Sequence, residues 1–253
     1  MITNMSIILQ NKKNGVLTLT LNRPEKLNIL SDEMMVELDR IIKQADGDDE
    51  IKLLVLKGAG RGFCAGADIA EMANKSAKDL RHEKFITKNW ESLAGFSKIT
   101  IVSLHGFALG GGLELAMMAD IIFATPDAKL ALPEINLGVM PGAGGIQRLL
   151  RFMPSSLAHY YILTGEIFLA SDAVNWGLVI ENTTSDGRAG IVEKTTEKIA
   201  SASLASLKSI KSSLRDAWEL PLAKAIINER QRFYDLFDTD EQKMAMKNFL
   251  LKK

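Results

Sequence analysis

Cysteine is nearly absent from this chain: Cys64 is the only one among 253 residues. That excludes an internal disulfide and any multi-cysteine metal site, and it fits a reducing compartment. An excess of charge of one sign is absent as well. Thirty-one Lys and Arg balance 31 Asp and Glu, the pI is near 6.9, and no global field favours nucleic acid. No apolar run approaches the roughly 18–20 residues of a membrane span, because Glu114 and Asp120 interrupt the longest candidate, residues 113–124. Residues 1–6 lack the basic start and long apolar stretch of a secretion signal. A soluble, cytoplasmic protein is expected. Histidine is scarce, with His82, His105 and His159 only. His105 and Ser103 are too close in sequence to imply a triad, and no G-x-S-x-G elbow is present.

What is present is the patterning of an α/β protein. Residues 16–21 alternate apolar and Thr side chains and stop at Asn22-Arg23-Pro24, which predicts a strand ending in a loop. Ser31-Asp32-Glu33 opens a helix whose Met34, Met35, Leu38, Ile41 and Ile42 recur at helical spacing. Residues 53–56 form a continuous apolar run, as a strand buried on both faces requires. Residues 80–96 then read as a helix, 99–104 as a strand, 106–112 as a turn into another helix, and 121–124 and 129–132 as short strands. Strands alternating with helices argue for mostly parallel pairing. Beyond residue 191 the strand signals vanish, and 191–214, 222–237 and 241–253 read as three helices. The division expected is an α/β core over residues 1–195 and a helical region over 196–253, within one chain of 27.8 kDa.

Two carboxylates carry the chemical signal. Glu114 follows Gly110-Gly111-Gly112, and Glu134 lies in Leu132-Pro133-Glu134-Ile135, ahead of Pro141-Gly142-Ala143-Gly144-Gly145. Paired acids beside loops of bare backbone N–H groups suit proton transfer next to a stabilised oxyanion. A second small-residue loop, residues 60–69, follows the strand at 53–56. One N–H from each loop, with a helix N-terminus at the glycines, would make an oxyanion hole. The alternative reading of either loop alone is a glycine-rich strand-to-helix turn. Neither is a phosphate-binding P-loop, since no Gly-Lys-Ser/Thr follows. Glu114 could equally be a first-turn glutamate favoured by the helix dipole, and Glu134 a capping carboxylate.

Four motifs in order, Asn22-Arg23-Pro24-Glu25-Lys26-Leu27-Asn28, Phe63-Cys64-Ala65-Gly66-Ala67-Asp68-Ile69, the run from Ala108 to Ala116, and the run from Pro133 to Leu149, resemble the crotonase superfamily over essentially the whole chain, most closely its enoyl-CoA hydratases. The resemblance implies an α/β crotonase-like (ClpP/crotonase) spiral of ββα units with a C-terminal helical trimerisation region, assembled as a trimer or a dimer of trimers. It implies that Ala67 and Gly111 supply the two N–H groups for an acyl-thioester carbonyl. Glu114 would deprotonate the water attacking Cβ, and Glu134 would deliver a proton to Cα. Coenzyme A contacts are implied at Arg23, Lys26, Ala65, Ala67, Asp68 and Ile69. Further contacts are implied at Leu109, Gly110, Gly111, Phe249 and Lys252, the last two reading equally well as the end of an amphipathic helix with a solvated Lys. No metal or separate cofactor is expected, coenzyme A being part of the substrate.

Relatives that isomerise double bonds usually keep only the second acid, so the presence of both favours hydration over a Δ3,Δ2-enoyl-CoA isomerase. Leu132 stands where well-known hydratases often have Gln, which removes one hydrogen-bond partner near Glu134. Some relatives bind RNA through a lysine-rich helix, and Lys75, Lys78, Arg81, Lys84 and Lys88 give a helix a basic tilt here. Asp79 and Glu83 interrupt it and no aromatic platform accompanies it, so a solvated face is the expected reading. Cys64 has no evident activating partner and reads as a small packing residue.

Overall fold

The structure, a computed structural model, describes residues 6–182 and 185–251. Strand β1 (Ile8–Lys13) turns back through Asn14 and Gly15, both at positive φ, into β2 (Val16–Leu21). Such a two-residue turn matches the twist of an antiparallel pair. The sequence reading did not separate β1, and its burial explains why: only Ile8 is buried, while the other residues face outward along an edge. In β2 the alternation holds, with Leu17, Leu19 and Leu21 buried.

The following strands are β3 (Leu53–Gly58), β4 (Ile99–Leu104), β5 (Phe107–Leu109), β6 (Ile121–Ala124), β7 (Lys129–Ala131), β8 (Phe168–Leu169) and β9 (Glu181–Asn182). They form two sheets, one in the order β1-β2-β3-β4-β6-β9 and one in the order β5-β7-β8. From β2 to β9 the larger sheet is parallel throughout. Isolated parallel bridges, Leu30 with Ala67 and Cys64 with Ala108, continue the smaller layer back toward the first loops. Each turn of chain thus lays one strand in the large sheet and one extended segment in the small layer, and then a helix. That is the spiral expected.

The apolar runs have a direct cause. Leu54, Leu56, Val102 and Leu104 pack into the main core, while Leu53, Val55, Ile99 and Ile101 pack on the opposite face with Phe123 and Leu207. Both faces of β3 and β4 are covered, so neither shows alternation. Helix Asp32–Asp46 starts at Ser31, whose Oγ accepts from the Met34 N–H, and buries Met34, Met35, Leu38, Ile41 and Ile42.

Two long helices anticipated from the sequence are broken. Residues 80–96 divide into Ala77–Glu83, Thr87–Trp90 and Ser92–Gly95, because Lys84 adopts a left-handed conformation and Ser76 with Asp79 forms a capping box at the start. Residues 191–214 divide into Ser185–Ala200 and Leu204–Glu219, and the Ser203 side chain caps the second. Helices Gly145–Phe152, Ser155–Thr164 and Ala170–Asn175 were not anticipated, being short. Helix Leu204–Glu219 is fastened through Lys211, whose buried ammonium donates to the Lys98 carbonyl (2.7 Å) and to Asp120 Oδ2 (2.8 Å). Asp120, open to solvent on one side, also accepts from the backbone N–H and hydroxyl of Thr100, so the buried Lys211 ammonium meets a carboxylate whose hydrogen bonds are made.

Candidate active site

Three loops at the ends of parallel strands meet here, and Asn28 joins two of them. Its side chain is fully buried. The carbonyl accepts from the Arg23 N–H (2.9 Å), and the amide reaches the carbonyls of Ala59 (2.8 Å), Gly62 (3.1 Å) and Phe63 (3.0 Å). Backbone bonds complete the joint: the Leu30 N–H donates to Gly66 O, Ala65 N–H to Leu27 O, and Leu109 N–H to Cys64 O.

The Ala67 and Gly111 N–H groups lie at the centre of this joint. A Cβ on Gly111 would stand 3.4 Å from the Ala67 nitrogen, and one on Gly66 would stand 3.8 Å from the Gly111 nitrogen. Neither N–H donates to any described residue. Gly111 opens helix Gly111–Ala116, so its N–H is one of those a helix leaves unpaired. Gly110 precedes it at φ 50°, ψ −128°, a conformation open to glycine, and a Cβ there would meet Glu134 Oε1 at 3.0 Å.

Glu114 sits in the first turn of that helix and is buried. Its Oε1 accepts from the N–H groups of Ala143 and Gly145, both at 2.8 Å. Burial raises its pKa, and those N–H groups together with the Arg148 charge oppose the rise. Glu134 lies in the 3-10 helix Pro133–Leu137. Burial pushes its carboxyl up to about 7, the Glu114 charge adds to the rise, and only its own backbone N–H opposes it. Its Oε2 is buried and has no hydrogen-bond partner among the described residues. Burial raises both acids, but Glu114 is clamped by donors that oppose the rise, whereas Glu134 has only its own backbone N–H against it.

Residues 11–253 match the family model described as enoyl-CoA hydratase/isomerase. The chain is 42% identical over 235 residues to a probable enoyl-CoA hydratase of Rhizobium meliloti (strain 1021), covering 93% of this chain and 91% of that one. It is 40% identical over 244 residues to the mitochondrial enoyl-CoA hydratase of Pongo abelii, covering 96% and 84%. A crystal structure of an enoyl-CoA hydratase from Bacillus anthracis superposes with a TM-score of 0.92 at 29% identity, covering 98% and 97%. The chain belongs to the enoyl-CoA hydratase/isomerase family.

Within this crotonase-type fold the residues singled out from sequence fall into two groups. Ala65, Ala67, Leu109, Gly110, Gly111, Glu114 and Glu134 come together at the joint of the loops. Asp68 adjoins them, and its side chain caps helix Ile69–Met72 by accepting from the Ala70 N–H (3.0 Å), while Ile69 is exposed. Arg23 leads into the 3-10 helix Pro24–Lys26 and turns toward Ser31 and Glu33 (3.4 Å each), and Lys26 is exposed. Phe249 stands on the C-terminal helix Asp240–Leu251 and is 67% exposed. Lys252 lies outside the described residues.

Sequence reasoning missed the role of four residues. Trp90 packs so that a Cβ on Gly111 would come within 2.9 Å of its ring. Ala143 and Gly145 hold Glu114, and the only signal was the glycine run itself. Arg148, one turn into the next helix, donates to the Ala143 carbonyl (2.8 Å). Leu132, standing in place of the frequent Gln, is buried against the Gly145 position, with its Cδ1 3.1 Å from where a Cβ there would be. Cys64 is buried and its thiol is pushed up to about 12 by that burial, as a packing residue requires.

Proposed function

We propose that this protein adds water across the 2,3 double bond of an enoyl-CoA thioester. The observation that carries the reading is the pair of unlike carboxyls beside two free backbone N–H groups. In this reading the thioester carbonyl accepts from the Ala67 and Gly111 N–H groups. Glu114, held by two donors, is the base that removes a proton from water as its oxygen bonds to Cβ. The electron pair of the double bond moves into a thioester enolate, whose oxygen the two N–H groups stabilise. Glu134, protonated near neutral pH, then delivers its proton to Cα. An oxyanion donor of this kind contributes about 3 kcal/mol of transition-state stabilisation. The thioester supplies all the activation that the chemistry needs, so no separate cofactor enters.

The coenzyme A moiety would run past Arg23, Lys26, Ala65, Asp68 and Ile69, with Leu109 and Gly110 lining the thioester end and Phe249 and Lys252 closing over it. Assembly as a trimer, or a dimer of trimers, is part of the same proposal. Leu222, Phe233, Leu250 and Leu251 in the C-terminal helices are more than half exposed in one chain, which supports their burial against copies. For the basic helix, Lys75 pairs with Glu83 and lies over the Phe85 ring, and the left-handed Lys84 breaks the face, which argues against an RNA surface.

Hydration of crotonyl-CoA, followed as loss of the conjugated thioester absorbance, tests the reading. Activity is expected in the wild type and a loss of about 10²–10⁴-fold in Glu114→Ala and in Glu134→Ala. A wild type that leaves crotonyl-CoA unchanged while converting a 3-enoyl-CoA would overturn hydration in favour of isomerisation.

A further inference from the structure

We propose that Arg148 is a positioning residue, which holds the Ala143–Gly145 turn against Glu114 and keeps that carboxylate ionised and aimed. The geometry is a three-part stack. On one side of the turn, Arg148 Nη1 donates to the Ala143 carbonyl (2.8 Å). On the other, the Ala143 and Gly145 N–H groups both donate to Glu114 Oε1 (2.8 Å each). Between them, Gly144 adopts φ +91°, and a Cβ there would overlap the guanidinium. A Cβ on Gly145 would stand 2.9 Å from Glu114 Oε1. The turn is therefore only backbone thick, and Arg148 and Glu114 address it from opposite faces.

Arg148 is half-buried and forms no ion pair with any described residue. A guanidinium placed so pays a desolvation cost that one carbonyl does not repay. The largest favourable charge acting on it is Glu114, followed by Glu91 at the end of helix Thr87–Trp90, with Arg151 opposing from its own helix. It lines a cavity of about 480 Å³ with Glu91, Arg215 and Glu219. The charged neighbours of Glu114 itself are Arg148 and Glu134. The cation is thus spent on the backbone of the turn and, through it, on the carboxylate behind.

The kinetic consequence rests on the hydratase reading, but the titration of Glu114 does not. The carboxyl carbon of Glu114 can be followed by ¹³C NMR in protein labelled at glutamate Cδ, with Glu114→Gln assigning the signal. In Arg148→Met, which keeps the stem and loses the charge and donors, the midpoint of Glu114 is expected to rise by about one pH unit. Arg148→Lys, which keeps charge and one donor, is expected to return it most of the way. Hydration of crotonyl-CoA is expected to lose about 10–100-fold in kcat in Arg148→Met, with KM within about twofold and the acid limb moved to higher pH. An unmoved Glu114 midpoint in folded Arg148→Met overturns the proposal, whatever the activity. Should Arg148→Met not fold, Arg148→Gln, which loses the charge and keeps a donor, decides it: a raised Glu114 midpoint supports the proposal, and a wild-type midpoint overturns it. A wild type inactive toward crotonyl-CoA would remove the hydratase reading and leave the titration result standing.

Discussion

Ala67 and Gly111 turn their backbone N–H groups into one small space, the Ala67 nitrogen lying 3.4 Å from where a Cβ on Gly111 would be. They come from different turns of the spiral, brought together because Cys64 bridges Ala108 and Leu109 donates to Cys64. The donors are fixed by sheet-like pairing before any ligand arrives, so no reorganisation is needed when charge develops.

Gly111→Ala tests that space directly. The added methyl would stand 2.9 Å from the Trp90 ring, a rigid neighbour, and beside the Ala67 nitrogen. For hydration of crotonyl-CoA, kcat/KM is expected to fall about 10²–10³-fold. Steady-state assays with the stability of the variant checked by thermal melting would measure it, and a loss under tenfold would place the carbonyl elsewhere.

Glu134 should cost the protein stability at neutral pH and above. Its folded carboxyl titrates at about 7 against an ordinary 4.5, so between those values the folded state binds the proton more tightly than the unfolded chain does. Stability therefore falls as pH rises through that window, and the protonated carboxyl is favoured below it. Glu134→Gln, neutral at every pH, is expected to gain about 1–2 kcal/mol above pH 7, discounted for the partial exposure of the group. Melting temperatures of the two proteins at pH 8 and pH 4.5 would show the gain at the first and its disappearance at the second.

Asn28 holds the loops rather than the substrate. Removing its side chain strands the Arg23 N–H and deprives the Ala59, Gly62 and Phe63 carbonyls of a buried donor. Its φ of 53° is also better tolerated by Asn than by Ala. Asn28→Ala is expected to lose about 2–4 kcal/mol of stability in urea unfolding. Asn28→Asp, which sets a buried carboxylate against those three carbonyl oxygens, is expected to lose more than Asn28→Ala at neutral pH.

Much of this was legible in the chain. The apolar runs at β3 and β4 reveal strands covered on both faces, and Ser31 with its helical spacing marks the first long helix. Glu114 and Glu134 announce themselves by the glycines around them. The misreadings occurred where local pattern gave no warning. A polar edge strand such as β1 lacks an alternating apolar face, and breaks at Lys84 and near Ser203 depend on one backbone conformation and one cap within otherwise helical sequence. Arg148 and Asn28 stood within the motifs, but nothing in their local sequence gave either a role of its own.

The sequence by itself determined the elements and the inventory: which segments pair as strands, which glycines leave backbone open, and which two acids accompany them. Those follow from side-chain periodicity and backbone freedom, which are local properties. Only the tertiary structure decided that Glu114 is clamped by two N–H groups while Glu134 is buried with an unpartnered oxygen, and that Arg148 lies behind the turn. The affinity of a carboxyl for its proton depends on the donors, charges and solvent within a few ångströms, and in this fold those come from segments far apart in the chain.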